Sequence, residues 1–403
     1  MPRVPIESYT ASTVTIGGRE YIAFGGCNYL GLGNHPGVKA AVVRAMDRLG
    51  LTTSASRETS GNTVEHDLLE AELAAFLDFE AAVLMPEGYT ANLALAQALG
   101  AEAGRGRTLA VIDQRSHRSI KDAVESAGFE VALYGHLDHA DARAIIHRHP
   151  GRRIMLWTDG VFAADGSIAP LPELLACLRG PDDRLVVDDC HGLGVLGAPG
   201  PSGTPGTPGF PGTPGVPVRP GRGTIAYFGL RDRRLVWTST LAKGLGCYGG
   251  AIAGMRAMID AVRADAGIYK GTTPVPPVLA AACREALRVV DREPGLVESL
   301  ARHVRRVRRS LADLGLGIED SPSAVMTFVL DSPGKMRGLA ASLMEAGIFV
   351  PLIDYPNGPA PLYFRLSVCA MHTDEQIEAM IRAMDQALAA PGVGLDAAGA
   401  KGA

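Results

Sequence analysis

The chain has 403 residues, 47% hydrophobic and 20% charged, with a formal net charge of −4, the balance of a soluble globular protein rather than a disordered or fibrous one. That mild acidity gives no pull toward nucleic acid or an anionic membrane. The six cysteines (Cys27, Cys177, Cys190, Cys247, Cys283, Cys369) form no CxxC pair, which excludes a zinc-ribbon or disulfide framework, and no apolar run is long enough to span a bilayer.

The opening "MPRVPIESYTAS" lacks the apolar core of a signal peptide, so the expected location is the cytoplasm. Residues 1–35 read as an N-terminal segment. "PGVKAAVVRAMDRL" opens on proline and repeats its apolar residues at helical spacing. "EHDLLEAELAAFL" does the same, with Leu69, Leu73, Phe76 and Leu77 on one face. Short apolar runs follow, separated by helices: "AAVLM", "TLAVI", "FEVALY", "RRIMLW", "RLVVD" and "RLVWTS". Runs without alternation suit strands buried on both faces, so an α/β fold with a mainly parallel sheet and helices on both faces is expected over residues 36–265.

Histidines cluster in "YGHLDHADARAIIHRHP", but the i, i+2 spacing of His147 and His149 puts them on different helical faces. They read as a helix end, where cations suit the dipole, and no metal site is expected. Two stretches match GxGxxG, at Gly192 and Gly244; neither lies directly between a strand and a helix, as a dinucleotide site requires. At 197–217 glycine recurs at every third position, "GAPGPSGTPGTPGFPGTPGVP", within a Pro/Gly insertion over 197–220. Alone it resembles collagen.

Beyond residue 265 the pattern changes. "PPVLAAACREALRVVDREP" and "LVESLARHVRRVRRSLADLG" read as long helices, and "SAVMTFVL", "YFRLSV" and "DEQIEAMIRAMDQALA" complete a smaller α+β domain over 266–390. The arginines of "RHVRRVRRSL" read as a solvated helix face. Residues 391–403 read as a disordered tail.

The chemistry-bearing residues follow one order. Asp188 ends a buried strand, His191 stands three residues on, and Lys243 lies just beyond another strand. In open α/β sheets the strand C-termini are where ligands bind. Lysine among small residues in "STLAKGLG" suits a Schiff base with pyridoxal phosphate, and Asp188 suits the ring nitrogen, which needs a carboxylate to stay protonated. Gly88 and Tyr89 open a helix, and Thr240 stands three residues before Lys243; backbone N–H groups and hydroxyls of this kind hold a phosphate.

In "NYLGLGNHP", "SRETSGNTVEHDLLE", "EGYTANLALAQAL", "VVDDCHGLGVLG", "TSTLAKGLGCYGG" and "FRLSVCAMHTDEQI" the chain resembles the α-oxoamine synthases, fold-type I pyridoxal-phosphate transferases. The resemblance implies a homodimer with active sites at its interface. It implies decarboxylative condensation of a small amino acid (alanine, glycine or serine) with an acyl thioester on coenzyme A or a carrier protein. The 8-amino-7-oxononanoate-synthase-like branch is expected first and the serine-palmitoyltransferase-like branch next.

By position, the resemblance makes Lys243 the cofactor-bonding lysine, Asp188 the ring-nitrogen partner and His191 the phenolic-oxygen partner. It has His117 stacking on the ring. Gly88, Tyr89 and Thr240 hold the phosphate, with Thr272 or Thr273 reaching over from a second subunit. Arg365 takes the amino-acid carboxylate, and Cys27 and Asn28 lie at the substrate end. Cys27 stands where the family has Asn, Ala242 where it has Ser, and Asp159 where Glu is common. An aminotransferase or aldolase on the same fold is the alternative; a structural protein built around the collagen-like run is the remote one.

Overall fold

The computed structural model describes residues 5–103, 107–197, 220–354, 358–391 and 393. The described chain groups into two compact units, His35–Phe162 with Ile168–Glu293, and Met1–Asn34 with Ala163–Ser167 and Pro294–Ala403.

The larger unit is built on a seven-stranded sheet. Its strand order is Ala81–Met85, Gly250–Gly254, Leu235–Thr240, Arg184–Asp188, Arg153–Asp159, Thr108–Asp113 and Glu130–Tyr134. Gly250–Gly254 runs antiparallel to both neighbours and the remaining pairs are parallel. The central strands are buried and mainly apolar, with polar residues toward their ends, because neither face meets water. On one face Val83, Ala110, Ile112, Trp157, Val186 and Val236 pack against Ala91, Ala94, Leu95, Ala98 and Leu99 of the helix Gly88–Ala103.

Local sequence explains where the helices begin. Proline stands in the first turn of Pro36–Leu49 and Pro277–Arg292, where its missing N–H removes no helical bond. Asp138 accepts from the Ala140 and Asp141 N–H groups and so caps His139–Arg148.

The sequence places the domain boundary at 265/266, whereas Pro277–Arg292 groups with the larger unit. Its Val278 and Ala281 pack on Ala45 and Val42 of Pro36–Leu49, and Arg284 pairs with Glu65 and Glu72 of Val64–Leu77.

The smaller unit holds two sheets, one of Ser8–Tyr9, Thr13–Ile16, Arg19–Ala23 and Ile348–Phe349, the other of Val325–Phe328, Tyr363–Ser367 and Leu352–Ile353. The helix Gly295–Asp313 corrects one expectation. Arg302, Arg305 and Arg309 are exposed, but Arg308 is buried, and its guanidinium donates to the carbonyls of Glu319, Ser323 and Val325. Burial lowers its pKa to about 10. One turn of an arginine-rich face is thus a structural clamp, because carbonyls far along the chain converge on it.

The expected tail over 391–403 lies outside the described residues apart from Pro391 and Val393, and most of the 197–220 insertion lies outside them as well. Its flanks are described and joined. Leu193 and Arg222 form an antiparallel bridge, Gly194 N–H donates to Gly221 O at 2.9 Å, and Gly223 N–H donates to Leu196 O at 2.9 Å. Arg222 stacks on the Phe76 ring at 3.5 Å and pairs with Asp291. Since the flanks close without the segment, replacing 198–219 by a short Gly-Ser linker leaves folding and cofactor binding at wild-type level. Each halving of the loop adds about 0.6 kcal/mol of stability. Thermal unfolding and cofactor absorbance of the shortened chain check this.

Candidate active site

The register of the larger sheet brings the candidate residues to one edge. Asp159 pairs with Asp188, and Asp188 with Thr238, so three adjacent parallel strands end together. Thr240 ends the third strand and Lys243 follows it, and His191 follows Asp188 by one turn. The Lys243 Nζ lies 2.8 Å from His191 Nε2.

Asp188 is buried and oriented by donors on both oxygens. Asn92 Nδ2 donates to Oδ2 at 2.8 Å and the Cys190 N–H to Oδ1 at 3.2 Å. Asn92 is fully buried and itself held, its Oδ1 accepting from the Thr238 hydroxyl at 2.7 Å. The sequence reading missed it. Its signal is its place four residues, one helical turn, after Gly88, as the one amide in "NLALA".

His117 caps Arg118–Ser126, with its Nδ1 against the Ser119 N–H and hydroxyl. Its own N–H donates to Asp159 Oδ2 at 2.8 Å. Burial lowers the imidazole pKa; Asp188 opposes that shift and Lys243 adds to it, so His117 shares their electrostatic environment as a neutral ring. Burial, then the Asp188 charge, raises the Asp159 carboxyl well above the usual range.

Gly88 opens its helix hard against Thr240: an added Cβ would stand 3.0 Å from the Thr240 Cβ and 3.1 Å from its N. A side chain there would push apart the helix N-terminus and the strand end. Tyr89 meets the His117 ring edge-on at 6.5 Å between centroids and gives its hydroxyl to Asp122. Thr272 donates to Ile268 O at 2.7 Å and Thr273 is exposed. Among the described residues no hydrogen bond joins either threonine to the Lys243 cluster.

Three expected residues lie in the smaller unit. Arg365 sits mid-strand opposite Thr327, with the Cys27 thiol close to its guanidinium. Its buried Nε and Nη2 have no hydrogen-bond partner among the described residues. A guanidinium with two open donors is built to accept a carboxylate in a fork. Asn28 bonds Asn34 and the Gly33 N–H.

Nearby, His372 is buried, stacked on Phe24 at 4.4 Å, accepting from the Cys369 N–H and bonded to Ala23 O. Burial lowers its pKa to about 4. Below pH 6.5 the unfolded chain takes up a proton that the folded chain refuses until about pH 4, so stability is lost as pH falls through that window. The loss reaches about 3 kcal/mol. Urea unfolding at pH 7 and pH 5 checks it: H372F, less stable at pH 7, has the shallower pH slope.

A carboxylate at a strand end, a lysine against an imidazole, and a glycine-opened helix N-terminus form a donor set that fits pyridoxal phosphate. The chain matches the family Aminotransferase class I and II over residues 19–384. It is 36% identical to the 8-amino-7-oxononanoate synthase of Methylococcus capsulatus (strain ATCC 33009 / NCIMB 11132 / Bath), over 95% of this chain and 93% of that protein. It is 33% identical to the enzyme of the same name from Nitrosococcus oceani, over 95% and 96%. Among solved structures it resembles the Sphingomonas wittichii serine palmitoyltransferase, with a TM-score of 0.85 and 27% identity over 96% of this chain and 92% of that one. It also resembles SPT carrying a PLP internal aldimine, with a TM-score of 0.86 and 26% identity over 97% and 93%.

Fold and site together define a fold-type I pyridoxal-phosphate transferase. The chain belongs to the aminotransferase class I and II family and, within it, to the α-oxoamine synthases.

Proposed function

We propose that this α-oxoamine synthase condenses a small amino acid, alanine, glycine or serine, with an acyl thioester carried on coenzyme A or a carrier protein, losing carbon dioxide. The observation that carries the assignment of roles is the 2.8 Å approach of Lys243 Nζ to His191 Nε2 beside the Asp188 strand end. When bound, the cofactor supplies an electron sink for negative charge developing at the amino acid's α-carbon.

The residues of this chain do the rest. Lys243 would hold the cofactor and move the α-proton on its Nζ, with the His191 imidazole 2.8 Å from that atom. Asp188, fixed by Asn92, keeps the ring nitrogen protonated. The neutral His117 covers the ring, and Gly88, Tyr89 and Thr240 hold the phosphate. Arg365, with Cys27 and Asn28 beside it in the smaller unit, takes the amino-acid carboxylate.

The enzyme is a homodimer in this reading, with Thr272 and Thr273 serving the partner's site. Val43, Met46, Leu51, Val64 and Leu68, exposed on or beside two neighbouring helices, supply apolar surface for it. Among the described residues no helix is long and apolar enough to cross a membrane. The six cysteines are free, which suits the cytoplasm.

A matrix of amino acids and acyl thioesters, read as free thiol and carbon dioxide, tests the reaction. One pair releasing both is the expected result. Release of a keto acid without thiol assigns the chain to transamination instead.

A further inference from the structure

Asp189 adjoins Asp188 and has no part in the roles above. Its side chain is fully buried on the opposite face of the sheet edge. Three donors converge on the carboxylate: the Thr224 N–H at 2.9 Å and Trp237 Nε1–H at 3.2 Å on Oδ2, and the Thr224 hydroxyl on Oδ1.

The rest of its wall is glycine, from three separate segments. Gly160 follows the strand Arg153–Asp159, Gly192 lies in the turn that carries His191, and Gly223 precedes Thr224. A Cβ on any of the three would overlap the carboxylate. The backbone of Asp189 is committed as well. Its N–H donates to Thr238 O at 2.8 Å, and its carbonyl accepts from the Gly192 and Leu193 N–H groups at 3.1 and 3.0 Å, closing the His191 turn.

One residue therefore ties together the turn bearing His191, the strand that leads to Lys243, and the segment returning from the insertion. A buried carboxylate is a poor way to gain stability alone, since an apolar group of the same shape generally does as well. A carboxylate that three glycines are shaped to admit is a good way to fix geometry.

We propose that Asp189 is a positioning residue, whose carboxylate, walled by Gly160, Gly192 and Gly223, sets the separation of the His191 imidazole from the Lys243 amine. The proposal rests on the roles given to His191 and Lys243 above. Alanine at 189 removes the acceptor of all three donors and leaves a gap between the three glycines, so the turn shifts. A displacement approaching 1 Å at reacting groups costs up to about 100-fold in rate.

The test uses the holoenzyme, with pyridoxal phosphate as the added cofactor. In D189A, kcat falls about 10- to 100-fold while KM for the amino acid stays within about twofold of wild type. The pH midpoint of the visible cofactor band moves, and borohydride still labels Lys243. T224V, which removes one donor far from the reacting atoms, shifts the band and kcat in the same direction by less. It decides the matter if D189A does not fold.

Lower melting temperature with wild-type kcat and band midpoint in both variants, or in T224V where D189A is unfolded, overturns the proposal and leaves Asp189 as packing. A wild-type protein that develops no visible band with pyridoxal phosphate overturns the underlying site assignment instead, and the proposal with it.

Discussion

Replacing Lys243 with alanine leaves a folded protein that binds pyridoxal phosphate without covalent attachment and turns over at least about 10²–10⁴-fold more slowly, the range for a lost proton-transfer group. The fold is spared because Lys243 is partly exposed and the one described hydrogen bond of its side chain is to His191. Under the proposed roles two separate functions disappear with the amine, the bond to the cofactor and the proton carried at Nζ. Arginine cannot restore the second, since its guanidinium does not deprotonate in proteins, so K243R stays inactive while keeping the positive charge. Borohydride reduction followed by peptide mapping reads the first function, labelling wild type at Lys243 and neither variant. Single-turnover kinetics reads the second. A labelled K243A, or one with near-wild-type turnover, assigns the chemistry to another lysine.

The sequence exposed the strand ends because runs such as "RLVVD" and "RLVWTS" stop abruptly at polar residues, and the end of a buried strand is where polar atoms first become useful. It did not show which of Asp188 and Asp189 faces which side. In the sheet, side chains alternate faces. Asp188 shares its face with Thr238, its register partner, and with Asn92. Asp189 points the other way, toward Trp237.

What escaped the sequence depends on contacts between distant segments. Asn92 reads as one more helix residue until its bond to Asp188, 96 positions away, is seen. Arg308 reads as a surface arginine because helical periodicity carries no information about the carbonyls at 319–325. The antiparallel direction of Gly250–Gly254 is equally invisible, since a fully buried strand has the same composition in either direction.

Asparagine at position 188 is expected to lower kcat about 10²–10³-fold, the scale of losing one charge-stabilising group in a preorganised site, with little change in folding. Both carboxylate oxygens of Asp188 already accept a hydrogen bond, from Asn92 Nδ2 and from the Cys190 N–H. An amide has one oxygen, so its NH2 group must face one of those donors or face the cofactor nitrogen. The first arrangement breaks the bond to Asn92 or to Cys190. The second would set an uncharged donor against the ring nitrogen, which a bound cofactor would need protonated to act as an electron sink. Either way the defect lies in the proton-abstraction step and not in carboxylate binding by Arg365, so KM for the amino acid changes little. N92A removes the support beneath the carboxylate, together with the Asn92 bonds to Ser119 and Thr238, and leaves the carboxylate itself in place, so it follows the same direction with a smaller loss. The measurement is hydrogen–deuterium exchange at the α-carbon of the bound amino acid without an acyl thioester, which D188N slows in proportion to its kcat. Wild-type exchange with slow condensation would place Asp188 in the acyl step instead.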